Sequence, residues 1–188
     1  MTAEHFRLHQ AVFPEGEFVA LAADAPDGTP LERERVVGLG SGFLVDFDLQ
    51  RPEHAFNEMI AGGTYANHDP AGAWYYGADI SVHPDYRGLG LGRALYDARK
   101  ALVRRLGRRG IVAGGQLPGY PAHAARMDVP AYVERVVAGE LTDPTLSFQL
   151  ANGFEVYGLL RGYIEDEYTG DWATFIVWFN PDLIYPEG

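Results

Sequence analysis

Several stretches of this chain are short apolar runs bounded by turn residues, and in others the apolar spacing lengthens to that of a helix. Residues 17–24 and 35–47 read as two strands joined across the turn-rich Ala25-Pro-Asp-Gly-Thr-Pro30, which predicts a hairpin. A short helix is expected over 53–61, stopped by Gly62-Gly63, and a strand over 74–82, Trp-Tyr-Tyr-Gly-Ala-Asp-Ile-Ser-Val, closed by Pro84. From 90 to 108, Leu91, Leu95, Ala98, Leu102 and Leu106 recur three and four apart, the apolar stripe of an amphipathic helix. Ile111-Val-Ala113 begins a short strand, 114–120 is a Gly/Pro loop, and 129–138 is a further helix. Asp143-Pro144 supplies a cap and a first-turn proline, and Asn152-Gly153 the matching stop, so a helix is expected between them. Two closing strands follow at 154–160 and 172–179.

These elements suit one soluble domain over 1–188: 47% of the residues are hydrophobic and 22% charged, which is globular rather than disordered composition. The absence of cysteine excludes disulfides, thiol nucleophiles and thiolate metal sites. A formal charge of −11 argues against nucleic acid as a partner. The charge is unevenly placed, however. Eight of the 15 basic residues stand between Arg87 and Arg109 against the single Asp97, so a polyanionic ligand has a basic loop and helix on which to dock. The first residues lack the apolar region of a secretory signal, and no run approaches the roughly 18 apolar residues that cross a bilayer. A cytoplasmic location with no membrane partner is expected. His5 and His9 stand four apart at what reads as a loose chain end, with no third ligand, so no metal is expected.

The most informative segment is Val82-His-Pro-Asp-Tyr-Arg-Gly-Leu-Gly-Leu-Gly92, between a strand and the basic helix. After Asp85 it holds no Ser, Thr, Asp or Asn to cap that helix, so the first backbone N–H groups need another acceptor. Free amides at the positive end of a helix dipole seat a phosphate, and glycine lets it come close. A glycine cap at Gly90 with hydrated amides is the plainer reading. Gly92 is followed by Arg93-Ala94, which fails the P-loop spacing, and Gly88-x-Gly90-x-Gly92 fails the dinucleotide fingerprint of a nicotinamide enzyme.

This segment, from Ile80 to Leu95, resembles the central motif of the GNAT superfamily of N-acetyltransferases: Val-x-Pro, then Arg87, Gly90 and Gly92, then an amphipathic helix. The order of elements from about residue 17 to 180, with Asn152-Gly153-Phe154 after the last helix, is similar too. Within the superfamily the chain resembles the acetyltransferase portion found fused to carbon-nitrogen hydrolases. The resemblance implies an α/β (α+β) fold, a mixed, largely antiparallel sheet flanked by helices. It implies acetyl-CoA as co-substrate, bound by Val82, Arg87, Gly88, Leu89, Gly90, Leu91, Gly92 and Arg93, with Phe148. The N-terminal part is short for the family, so the first strand is expected to be missing or supplied by another chain, an exposed edge that favours a homodimer.

The implied chemistry is direct transfer of acetyl to a primary amine, carried by a small molecule or a peptide. By resemblance, the Val82 N–H stabilises the developing oxyanion and Asp79 is the base. Where many members carry a tyrosine acid this chain has Gln149, so either another tyrosine, Tyr120, Tyr157 or Tyr163, substitutes, or the thiolate takes its proton from water; packing is the plainer role for each of those tyrosines. Tyr76, Gln116 and Tyr120 are the expected acceptor residues; for Tyr76 and its neighbour Tyr75 the plainer reading is core packing, as for aromatic residues on strands generally. The Gln149 departure also supports an alternative, a non-catalytic acyl-CoA-binding or regulatory module.

Overall fold

The computed structural model describes residues 2–166 and 170–183. Its sheet runs β1 (Phe18–Asp24), β2 (Pro30–Val45), β3 (Trp74–Val82), β4 (Gly110–Gln116), β5 (Glu155–Arg161) and β6 (Trp172–Phe179), in the spatial order β1-β2-β3-β4-β6-β5. Every neighbouring pair is antiparallel except β3 and β4, which are parallel. The helices are α1 (Ala3–Val12), α2 (Phe56–Met59), α3 (Leu91–Arg105), α4 (Val129–Val137) and α5 (Leu146–Ala151). Among the described residues no helix is long and apolar enough to cross a membrane.

Several boundaries move from their sequence positions for tertiary reasons. β4 continues through Gly114 and Gly115, residues that read as a loop, because β6 pairs with them opposite Phe175 and Thr174. Pairing overrides poor strand propensity. The helix expected over 53–61 shrinks to one turn at α2, followed by a 3-10 turn at Ala61–Gly63. The buried face of α3 comprises Leu95, Tyr96, Arg99, Leu102 and Val103, while Leu91, Ala98 and Leu106 of the expected stripe are only half-buried. Each fully buried apolar side chain there contributes roughly 1.5–3 kcal/mol.

Asp143 is the polar pin of the lower half of the fold. It is fully buried, and its Oδ1 accepts the Thr145 and Leu146 N–H groups at 2.8 and 2.9 Å, capping α5 from two residues outside it. Its Oδ2 accepts the Gly119 N–H and the Tyr132 hydroxyl, both at 2.9 Å, tying the chain after β4 and helix α4 to the same point.

At the N-terminus the residues before β1 form α1 and a 3-10 turn at Pro14–Gly16, with no strand among the described ones. β1 lies at the sheet edge, and Val19 and Leu21 on it and Val36 beside it are exposed. The expected loose end is instead anchored. His9 is fully buried, stacked on Tyr65 with ring centroids 3.6 Å apart. Its Nε2 lies 2.7 Å from the Gly63 carbonyl, which can only accept, so that nitrogen carries the proton. Its Nδ1 then faces Glu17 Oε1 at 3.1 Å as an acceptor. Burial lowers the His9 pKa and raises that of Glu17 to about 7, against a partial opposing pull from Arg99 on Glu17. Below neutral pH a single proton, on the Glu17 carboxyl, serves the pair.

Two predictions follow from these anchors. Asp143→Ala strands the buried Tyr132 hydroxyl and Gly119 amide, a loss on the order of 3 kcal/mol, read as a fall in Tm of about 10 °C. Glu17→Gln keeps an N–H for His9 and removes the ionisation. From 4.5 up to about 7 the folded carboxyl holds a proton that the unfolded one has lost, so parent stability falls as pH rises across that window. Thermal melts should show the variant gaining on the parent between pH 5 and 8, whereas a constant difference would place the proton elsewhere.

Candidate functional site

β3 and β4 pair at only three positions, Trp74 with Gly110, Tyr75 with Ile111 and Tyr76 with Val112, and then part. At the same point β3 bulges: Gly42 of β2 stands opposite Gly77 and Ser41 opposite Asp79, leaving Ala78 as the extra residue. Arg99, reaching up from α3 and only 2% exposed, donates through Nη2 to the Ser41 carbonyl at 2.8 Å and to the Asp79 backbone carbonyl. The guanidinium thus satisfies carbonyls at the bulge, a structural role rather than the surface cation its sequence position suggests.

Between the parted strands lies a cleft of about 420 Å³. β3 contributes Gly77 to Ile80 and β4 contributes Ala113 to Gln116; Tyr96 and Arg99, Thr145 and Gln149, and Phe56, Tyr163 and Ile164 complete the walls. Gly114 and Gly115 are required here by close approach, since a Cβ would collide with Tyr163 at the first and lie 2.6 Å from Gln149 Oε1 at the second. Through Ile80, Tyr96, Thr145 and Gln149 the cleft runs into a groove of about 980 Å³, lined by Val82, Arg87, Gly88, Gly90, Leu91, Gly92, Arg93 and Phe148.

The groove is built from the glycine loop. Its 3-10 turn (Pro84–Tyr86) is anchored by Tyr86, a buried residue whose hydroxyl donates to the Asp24 carbonyl at 3.1 Å. Gly90 has a left-handed backbone, φ 82°, and precedes α3 with no side-chain cap, so the opening amides of the helix are left for a ligand. Val82 borders the same groove. The His83 N–H donates to the Val37 carbonyl across the sheet, so by strand alternation the Val82 N–H and C=O point away from β2. The Val82 carbonyl takes the Arg87 Nε–H at 3.2 Å, leaving the N–H directed to the groove.

The basic helix contributes less to this surface than its composition suggests. Arg87 and Arg93 line the groove, but Lys100 donates to the Asn152 carbonyl at 2.6 Å, Arg105 pairs with Glu15 at 3.1 Å and Arg108 donates to the Pro70 carbonyl at 2.8 Å. Leu89 projects into solvent at 66% exposure, turned outward between two left-handed glycines.

Asp79 is half-buried on the cleft wall; burial raises its carboxyl pKa, with Arg99 pulling the other way. Gln116 also lines the cleft, its Nε2 donating to Asp166 at 3.3 Å. Gln149 is buried, and its Oε1 has no hydrogen-bond partner among the described residues. An amide there cannot serve as a proton donor of the tyrosine kind. Two expected acceptor residues are placed elsewhere. Tyr120 packs on Tyr132 and donates to the Met127 carbonyl at 3.3 Å, because Leu117 is drawn fully into the core and carries the chain away from the cleft. Tyr76 is fully buried behind the wall, 2.7 Å from the hydroxyl of Tyr163. Tyr75 donates to the Gly16 carbonyl from the core, and Tyr157 stands exposed on β5. His54, which carries no signal in the sequence, lies 2.9 Å from Tyr76 through Nε2. Among the described residues no group of three or more His, Asp or Glu side chains could hold a metal.

Comparison with known proteins places this architecture. Residues 6–125 match the model of the acetyltransferase (GNAT) family. "Probable hydrolase YhcX" of Bacillus subtilis is 37% identical over 96% of this chain, which spans 34% of that relative's length. "Uncharacterized N-acetyltransferase YkwB" of the same organism is 32% identical over 92% of this chain and 72% of its own. Among solved structures, the GphF GNAT-like decarboxylase in complex with isobutyryl-CoA superposes with a TM-score of 0.74, at 22% identity, covering 96% of this chain and 86% of that one, a likeness of fold. With its family match spanning more than half of its residues, and a sheet that opens between its two central strands beside a glycine loop, this chain belongs to the acetyltransferase (GNAT) family of acyltransferases.

Proposed function

We propose that the protein transfers an acetyl group from acetyl-CoA to a primary amine by direct attack. The observation that carries this reading is the meeting of two spaces at one point: an uncapped helix start faces a long groove, and the groove opens into a cleft holding a carboxylate. The donor set suits a CoA ester. The opening amides of α3, with Arg87 and Arg93, would hold the pyrophosphate, and the Val82 backbone and Phe148 would flank the pantetheine arm.

At the junction the Val82 N–H would donate to the thioester oxygen as it gains charge, a fixed donor that needs no reorganisation. Asp79 would draw in a cationic amine and take the proton that makes it nucleophilic. Its raised pKa, from burial first, brings it nearer to an amine than an exposed carboxylate would be. The acceptor is a small molecule or a peptide bearing such an amine. Since the chain spans only about a third of one curated relative, this reading concerns the reaction of this domain.

Release of free thiol from acetyl-CoA with a panel of amines tests the reading directly, and CoA binding without release across the panel would favour an acyl-CoA-binding module. Gly90→Val places a branched side chain on a left-handed backbone, a strain of about 1–3 kcal/mol, in the path of the phosphates; CoA affinity by calorimetry should fall at least about tenfold. Asp79→Asn should lower kcat/KM on the order of 100-fold. Because Asp79 works ionised, parent activity is lost as pH falls through its raised pKa, and that acid limb should vanish from the variant's profile.

A further inference from the structure

On the β4 side the cleft ends at Tyr163, and behind it stands a buried chain of side chains whose hydrogen-bond direction can be deduced. The Pro52 carbonyl can only accept, so His54 Nδ1, 2.6 Å from it, carries the proton of the neutral ring. His54 Nε2 is then an acceptor, and the Tyr76 hydroxyl at 2.9 Å donates to it. Tyr76 Oη is left to accept from Tyr163, 2.7 Å away. Tyr163 therefore directs its own proton inward; the Gly114 backbone already bonds its Oη, and the remaining lone pair is left for a donor in the cleft. The rings of Phe47 and Phe175 pack on His54 along with both tyrosines, which are the titratable side chains in ring contact with it among the described residues.

We propose that Tyr163 is a catalytic residue, and that Tyr76 and His54 behind it form a proton store that takes a proton from the attacking nitrogen and returns it to the departing sulfur. The proposal rests on the acetyl-transfer reading. Amide formation from an ammonium releases two protons; Asp79 removes the first, before attack. When the C–N bond forms, the nitrogen of the adduct still bears the second. That proton passes to Tyr163 Oη as the Tyr163 proton moves to Tyr76 and the Tyr76 proton moves to His54 Nε2. The imidazolium so formed keeps its Nδ1–H bond to Pro52. As the C–S bond breaks with its electron pair on sulfur, the three protons step back, and the sulfur receives the one on Tyr163. One proton has gone from nitrogen to sulfur, and the relay is restored. Burial lowers the His54 pKa, which keeps the ring neutral and ready to receive near pH 7 and eager to return the proton afterwards. The relay fills the vacancy left by Gln149, whose amide has no proton to give.

The test compares Tyr163→Phe, Tyr76→Phe and the double variant, each of which keeps the ring packing. Tyr163→Phe should lower kcat about 100-fold with KM for acetyl-CoA within about twofold. Tyr76→Phe should slow turnover similarly, and the double variant should be no slower than Tyr163→Phe alone, as groups acting as one unit behave. Full kcat in Tyr163→Phe overturns the proposal. An independent readout is the 15N NMR spectrum of the His54 ring in the CoA-saturated protein, where the Nδ1–H tautomer is expected near neutral pH. An Nε2–H tautomer overturns the relay whether or not any amine turns over. If the unmodified protein releases no thiol with any amine while His54 shows the expected tautomer, the acetyl-transfer reading has failed, and the catalytic role of Tyr163 in it falls with it.

Discussion

Three residues of parallel pairing followed by separation set the form of this molecule. Two neighbouring strands that cease to pair expose backbone N–H and C=O groups, and a protein interior tolerates this only if other groups satisfy them or a ligand does. Here the near edge is served by Arg99, which takes carbonyls at the β3 bulge. Side chains from outside the two strands cover the glycines beside the opening, Tyr163 on Gly114 and Gln149 on Gly115. What remains open faces the cleft.

The supports of that opening are polar and buried, which makes them specific. Asp143 accepts four hydrogen bonds from three separate segments and so holds α5 beside the gap. On the other side of the bulge His9 faces Glu17 at 3.1 Å and stacks on Tyr65, bringing α1 against that ring, whose hydroxyl meets Ser41 of β2 at 2.7 Å. Such groups are costly when half-satisfied, so each favours one arrangement of its elements over near alternatives. The same low dielectric pushes the Asp79 carboxyl up, toward neutral pH, and the His54 imidazole down, which holds that ring neutral there.

Much of the fold is legible in the residue order. Runs rich in aromatic and β-branched residues mark β3 and β6, and a spacing of three to four marks α3, because buried strands and amphipathic helices impose those patterns on any chain. The glycine loop was legible for a local reason as well: an uncapped helix start and a left-handed position at Gly90 are properties of a few consecutive residues. The burial of Arg99 is not legible in the sequence, because a cation on a helix looks the same on a wet face and a dry one; the bulge in the β2–β3 ladder, whose carbonyls it takes, accounts for it. His54 left no trace at all, since its partners Tyr76 and Tyr163 lie 22 and 109 residues further along the chain.

Read alone, the sequence specifies an α/β chain with a basic glycine loop and helix, and with it the family. Those features are local, written in spacing and in the conformational needs of single residues. Which tyrosine faces the cleft, which arginine is buried, and where Asp79 stands relative to the Val82 amide depend on how far β3 and β4 stay paired before they part. That is decided by contacts between residues far apart in the chain, among them Tyr163 on Gly114 and Gln149 on Gly115, which exist only once the sheet has formed.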